Sequence, residues 1–232
     1  MESGSPRTPI RVAAIIPAFC EEQHIGDVVR RTCAQLERVL VVDDGSIDET
    51  AARSREAGAE VIVHPLNRGK GDSIKSGLNR WQKEADVDYM IVLDADGQHL
   101  PEEISRFIET AERTQAKMLI GTRMNDVSTM PLVRRLVNRF MSNQISKLCG
   151  QAIPDTQCGF RMIHRDVVPD LLGGADRFDY ETEMLIIASR NGIKIEAVPV
   201  TTVYADETSS ISPVRDTLRF FRLMRRYRRI SN

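Results

Sequence analysis

Tyr89-Met90-Ile91-Val92-Leu93-Asp94-Ala95-Asp96-Gly97-Gln98-His99-Leu100-Pro101 runs from an unbroken apolar segment, through paired aspartates, into a proline that opens a helical pattern. An apolar run of this length and composition predicts a strand buried on both faces. Pro101 suits the first position of a helix, where its missing N–H costs nothing. That helix would carry Ile104, Phe107, Ile108 and Ala111 inward. Strand, acidic turn and helix in succession form the repeating unit of a mostly parallel α/β sheet. In such sheets ligands lie outside the carboxyl ends of the strands, which is where Asp94 and Asp96 stand.

The same pattern continues on both sides of this stretch. Further strands are expected at Val12–Ile16, Val39–Val42, Glu60–His64 and Lys117–Gly121, again rich in β-branched residues. Between the first two, Ile25, Val28, Val29, Thr32, Cys33 and Leu36 recur at helical spacing. Ser46 with Glu49 has the form of a capping box, and Gly58 suits a helix stop. Beyond them the sequence predicts a helix from Pro131 to about Leu148, a strand near Phe160–Ile163, a helix over Tyr180–Arg190 and a strand from Ile193 to Val200. Residues 1–9 form a short polar, proline-containing N-terminus read as disordered, 10–212 one domain, and 213–232 a separate basic helix.

Composition excludes some functions. Of 232 residues 41% are hydrophobic and 28% charged, ordinary for a globular protein, and the formal net charge of −1 offers no field for nucleic acid. Cys20, Cys33, Cys149 and Cys158 show neither C-x-x-C nor zinc-ligand spacing, so reduced thiols and a cytoplasmic setting are expected. No h-region opens the chain, and Val12–Cys20, the longest nearly apolar run, is about half a membrane span.

Three strand ends carry the candidate chemistry: Pro17-Ala18-Phe19-Cys20-Glu21-Glu22, Asp43-Asp44-Gly45-Ser46 and Asp94-Ala95-Asp96-Gly97-Gln98. Asp94 and Asp96, two residues apart past a buried strand, can present oxygens to one hard cation, Mg²⁺ or Mn²⁺, with Gln98 adding an amide oxygen. Such a metal would neutralise a departing diphosphate. A plain turn is the alternative for an isolated D-x-D; the neighbouring acidic strand ends favour the metal. Asp43 and Asp44 suit ribose hydroxyls or a base edge, with a turn into the next helix as the alternative, more so for Asp44. Asn67-Arg68-Gly69-Lys70-Gly71 departs from a Walker A loop, yet Lys70 at a helix start suits phosphate or base. Arg123, Arg134 and Arg135 supply guanidinium forks for an anionic acceptor. Glu181 and Glu183 open a helix, where the dipole favours carboxylates and a catalytic base is the competing assignment. His99 and His164 have no neighbouring nucleophile in sequence and receive no catalytic role.

Taken in order, I-I-P-A-F-C-E-E, V-V-D-D-G-S-I-D-E-T, N-R-G-K-G, D-A-D-G-Q-H-L-P-E-E-I, G-T-R, D-T-Q-C-G-F-R and F-D-Y-E-T-E resemble family 2 glycosyltransferases over about Arg11 to Tyr204. Within that family the dolichyl- and polyprenyl-phosphate mannosyl- or glucosyltransferases are most similar. The resemblance implies a GT-A fold, with an acceptor-side region in the second half, and inverting transfer from GDP-mannose or UDP-glucose to a polyprenyl phosphate. It places Pro17, Phe19, Glu21 and Asp43 on the nucleoside, and Asp94, Asp96 and Gln98 on metal and diphosphate. Arg123, Arg134 and Asn138 would hold the acceptor phosphate. That phosphate is already anionic, so orientation matters more than a general base. Family members often carry Ser where Asn138 and Cys158 stand, and cations where Glu207 and Ser210 stand.

From Pro213 to Asn232 there are seven arginines, spaced against Val214, Leu218, Phe221 and Met224. A basic amphipathic helix of this kind reads as an element for the cytosolic membrane surface or as a docked helix with a solvated face; the resemblance implies a separate membrane subunit as the alternative route to the membrane. Two other functions stay open: transfer to a hydroxyl of a glycan, protein or small molecule, with Glu181 or Glu183 as base, and a nucleotide-sugar-binding membrane module without turnover.

Overall fold

The computed structural model describes residues 9–124, 132–173, 180–201 and Tyr227, the side chains of 132–134 excepted. Seven strands, β1 (Val12–Ala18), β2 (Arg38–Asp43), β3 (Glu60–Val63), β4 (Tyr89–Val92), β5 (Met118–Thr122), β6 (Arg161–His164) and β7 (Ile195–Pro199), form one sheet in the order β3-β2-β1-β4-β6-β5-β7. All neighbours pair parallel except β6, which is antiparallel to β4 and β5. The helices are α1 (Ile25–Cys33), α2 (Thr50–Glu56), α3 (Lys70–Gln82), α4 (Ile104–Thr114), α5 (Leu132–Cys149), α6 (Val168–Leu171) and α7 (Tyr180–Arg190).

Strand order fixes where a ligand can sit. The chain runs outward from β1 through β2 to β3, then returns past β1 to β4, so right-handed crossovers put α1 and α2 on one face and α3 on the other. The order reverses between β1 and β4, and a crevice opens beyond their carboxyl ends. The sheet is dry in the middle: Ala13 to Ile16, Leu40 to Val42, Met90, Ile91, Leu119 and Ile120 are fully buried. Helix α3 packs tightly on β1 because residue 77 is glycine; a Cβ there would stand 2.4 Å from Ile15 Cγ2.

Most expected elements recur with small shifts at their ends. Pro101 opens a 3-10 turn (Pro101–Glu103) that leads into α4, whose Ile104, Phe107 and Ala111 are buried. Gly58, at φ +106°, follows the end of α2. The expected capping box does not form: α2 begins at Thr50 with Glu49 as an uncapping N-cap, because the Ser46 hydroxyl is drawn back to Asp43. Cys33 is exposed, the helix having turned it away from the core. Strand β3 is half-exposed rather than buried on both faces, since it lies at the sheet edge. The basic helix expected over 213–232 and the loop with Glu207 and Ser210 lie outside the described residues, Tyr227 excepted.

Candidate active site

At the crevice, α3, β4 and α7 bring their charges to one point. Lys70, first residue of α3, holds its ammonium 2.6 Å from Asp94 Oδ1 and 3.1 Å from Glu181 Oε2. Burial alone would lower this ammonium's pKa, but the two carboxylates outweigh it and hold it above the ordinary value. Burial likewise opposes ionisation of Asp94, and Lys70 overrides it, holding that carboxyl well below the usual range. Burial and then the charge of Asp94 push the neighbouring Asp96 carboxyl up. The Gln98 backbone N–H donates to Asp96 Oδ1 at 2.9 Å and fixes its direction. Ala95 between them is buried.

Behind the carboxylates, Gly159 leaves no room to retreat. A Cβ there would lie 2.8 Å from Asp94 Oδ2 and 3.2 Å from Glu181 Oε1. Glu181 Oε1 is buried without a hydrogen-bond partner among the described residues. His99, which the sequence left without a role, accepts the Asp94 N–H on Nδ1 at 3.1 Å and stacks on Phe160, ring centroids 5.1 Å apart. An accepting Nδ1 requires the neutral ring, and burial lowers its pKa accordingly. His99 therefore positions the backbone of Asp94.

The residues present fit a divalent cation. An ammonium already stands among Asp94 and Glu181, so the site takes positive charge. The donors are hard oxygens, as Mg²⁺ and Mn²⁺ prefer. Among the described residues no three acidic, histidine or cysteine side chains converge as a ready-made cage, so phosphate and water oxygens would complete the shell.

On the β1–β2 side, Pro17 is buried and Phe19 turns 47% of its surface outward. Cys20 adopts φ +56° and its N–H meets Ser46 Oγ at 2.9 Å, while Glu21 N–H meets Thr50 Oγ1 at 2.8 Å. Asp43 accepts Ser46 N–H at 3.0 Å and the Ser46 hydroxyl. Asp44 differs from its neighbour. Its carboxylate accepts from Arg68 N and from Gly69 N at 2.6 Å, and from His64 Nδ1 at 2.7 Å, whose Nε2 lies 2.9 Å from Ser76 Oγ. These bonds tie Asp44 to the turn that delivers Lys70.

The acceptor candidates divide similarly. Arg123, at the end of β5, forks onto Asp155 at 2.7 and 2.9 Å, both side chains buried. Asn138 is buried on α5 and Arg134 lies in the first turn of that helix. Ser142, one turn after Asn138, caps Thr156 N–H at 2.9 Å and so joins α5 to the segment holding Asp155. Glu183 does not share the fate of Glu181: it is fully buried and accepts from Tyr227 OH at 3.1 Å. Arg161, buried, donates to the carbonyls of Cys158 and Thr156 at 2.9 and 3.1 Å and to that of Glu181, tying Gly159 to the start of α7. Asp155 and His64 carry no local periodicity, and Arg123 and Asp44, which they meet, are distant in sequence.

Residues 13–172 match the family model described as Glycosyl transferase family 2. The uncharacterized protein MJ1222 of Methanocaldococcus jannaschii is 32% identical over 206 residues, 86% of this chain and 84% of that protein. The UDP-N-acetylglucosamine–dolichyl-phosphate N-acetylglucosaminyltransferase of Methanococcus voltae is 30% identical over 215 residues, 83% of this chain and 85% of the relative. Among solved structures, glucosyl-3-phosphoglycerate synthase from Mycobacterium tuberculosis with phosphoglyceric acid superposes with a TM-score of 0.72 at 17% identity, covering 94% of this chain and 80% of that one. The same enzyme with Mg²⁺ and uridine diphosphate gives 0.66 at 17% identity, covering 90% and 74%. At such identities the likeness is one of fold.

Proposed function

This chain belongs to glycosyl transferase family 2, and we propose that it moves a hexose from a nucleoside-diphosphate sugar, GDP-mannose or UDP-glucose, to a polyprenyl phosphate with inversion. The observation that carries the proposal is the pair of carboxylates, Asp94 and Glu181, on one ammonium at the sheet's switch point, with Asp96 just beyond Asp94 in the chain. Named relatives support the lipid acceptor: the Methanococcus voltae enzyme acts on dolichyl phosphate, and a Proteus mirabilis relative is an undecaprenyl-phosphate 4-deoxy-4-formamido-L-arabinose transferase.

In the proposed reaction an oxygen of the acceptor phosphate bonds to the sugar's anomeric carbon as the bond from that carbon to the diphosphate breaks. The electron pair leaves with the nucleoside diphosphate. Mg²⁺ or Mn²⁺ on Asp94 and Asp96, with Gln98 beside them, would neutralise the charge gathering on the diphosphate. Pro17, Phe19, Glu21 and Asp43 line the nucleoside side, and Lys70 offers its ammonium to the diphosphate. Arg123, Arg134 and Asn138 hold the acceptor, and Arg123 would exchange part of its fork on Asp155 for phosphate. No proton has to be removed from an ionised phosphate, in keeping with a neutral His99 that serves only the backbone.

A peripheral membrane position fits this acceptor. Among the described residues no helix is long and apolar enough to cross a bilayer. A hydroxyl acceptor is the second reading, and the unpartnered Glu181 Oε1 favours it, being a carboxylate oxygen able to take a proton.

The test is product formation by purified protein with Mg²⁺ or Mn²⁺ and a short polyprenyl phosphate, offering GDP-mannose, UDP-glucose and UDP-N-acetylglucosamine separately and reading lipid products by mass. Asp96→Asn is expected to lower turnover by about a hundredfold or more, as loss of a group stabilising transition-state charge does. Donor turnover without a lipid product would favour the hydroxyl acceptor, and an unaltered Asp96→Asn enzyme would sink the metal-assisted reaction.

A further inference from the structure

Lys70 stands on an oxygen of Asp94, one of the two carboxylates assigned to the cation. Its Nζ lies 2.6 Å from Asp94 Oδ1, whereas Mg²⁺ requires that oxygen at about 2.0–2.1 Å. A dication and an ammonium cannot share one carboxylate oxygen at these ranges without strong mutual repulsion. The backbone beneath Lys70 does not give way. Gly69, at φ +101°, donates its N–H to Asp44 at 2.6 Å, Arg68 N–H is held by the same carboxylate, and His64 braces Asp44 from behind. Only the side chain can move, pivoting from a fixed Cα between Asp94 and some other anion. Glu181, already 3.1 Å away, holds one side of that pivot.

Resting on the metal site assigned above, we propose that Lys70 is a resident counter-cation which makes divalent-metal binding depend on the donor's diphosphate. Without donor, the ammonium neutralises Asp94 and competes with the metal for it. With donor, the diphosphate supplies ligands to the metal and a new anion to the displaced ammonium. Metal and nucleotide then raise each other's affinity by the same factor, as linkage requires. The benefit is order: the cluster stays charge-balanced while empty, and the cation is seated together with the group it must neutralise.

The experiment reads Mn²⁺ binding, not turnover. Free Mn²⁺ is counted by electron paramagnetic resonance in titrations of the full chain, alone and with UDP or GDP. Lys70→Met and Lys70→Gln are compared with the unaltered protein, all checked by circular dichroism. Both neutral variants are expected to bind Mn²⁺ alone about tenfold tighter, and to lose about tenfold of the coupling between Mn²⁺ and nucleotide. Lys70→Gln retains a hydrogen-bond donor between the carboxylates, so it remains informative should Lys70→Met fail to fold. Neutral variants that bind Mn²⁺ alone no better than the parent would overturn the proposal. Asp96→Asn separates the two levels: Mn²⁺ binding that survives this change removes the metal site itself, whereas binding lost there but indifferent to Lys70 removes only the role of the lysine.

Discussion

Gly159 has an ordinary backbone conformation, so the demand for glycine there comes from the two carboxylates in front of it rather than from φ. Gly159→Ala would push a methyl against the ends of Asp94 and Glu181. Those ends can swing, so the melting temperature should barely change, while displaced ligands cost activity. A fall in kcat/KM of about tenfold to a hundredfold is expected from steady-state kinetics, and an unimpaired variant would mean that Asp94 works from another position. His164 allows a test with the sign worked out. It caps the turn after β6 by accepting the Asp166 N–H, packs edge-on to Tyr89, and burial holds its pKa below the ordinary value near 6.5. The unfolded chain therefore binds this proton more readily. Stability from His164 is whole above that ordinary value and is lost as pH falls below it toward the folded pKa. Asp166, its pKa lowered by Lys117, loses its contribution only at more acid pH. Between about pH 7 and about pH 5, His164→Asn should lose less melting temperature than the parent. His99 is depressed in the same direction and leaves some slope in both proteins.

Elements were legible where one period governs them. Buried strands and the amphipathic α1 and α4 announce themselves, and the acidic strand ends gave the position of the site, because a parallel sheet leaves ligands only one edge. What escaped the sequence are pairings between elements. Asp44 reads from the sequence as a ribose ligand or a turn residue alike; only three dimensions show its carboxylate accepting the N–H groups of Arg68 and Gly69 before α3. Glu181 and Glu183 are indistinguishable at a helix start, yet they point to opposite sides of one turn, so one meets Lys70 and the other Tyr227. Asp155 stands in the sequence only as the first residue of D-T-Q-C-G-F-R, and it is the buried counter-charge for Arg123 at the end of β5. Removing one partner of such a pair strands the other charge, so Asp155→Ala should cost about 3–5 kcal/mol in urea unfolding. A loss near that of a surface ion pair, below about 1 kcal/mol, would show that Arg123 reaches water or another anion once released.

At the scale of the molecule, α5 is the element with two allegiances. Inward it buries Asn138, Ser142 and Ile145; outward it shows Leu136, Val137 and Phe140 at 60%, 46% and 50% exposure. The helix carries Arg134, Arg135, Arg139 and Lys147 and no acidic residue. Apolar side chains set among cations are what an anionic lipid surface receives, and a lipid-phosphate acceptor would be met from that surface. The energies suffice for a measurable effect. Fully burying a large apolar side chain is worth about 1.5–3 kcal/mol, and half of that over three residues exceeds the about 1.4 kcal/mol that changes affinity tenfold. Replacing Leu136, Val137 and Phe140 together by Ser should therefore reduce co-sedimentation with phosphatidylcholine–phosphatidylglycerol vesicles by about tenfold or more. Turnover of a short, soluble polyprenyl phosphate should stay within about twofold, since the inner face of α5 is untouched. The parent's binding should also weaken with added salt, because each cation near the surface contributes about 1 kcal/mol that screening removes. Vesicle binding unchanged by the triple substitution would shift attachment to the arginine-rich segment after residue 213. A dimer that dissolves in the variant would instead make this face an interface between copies.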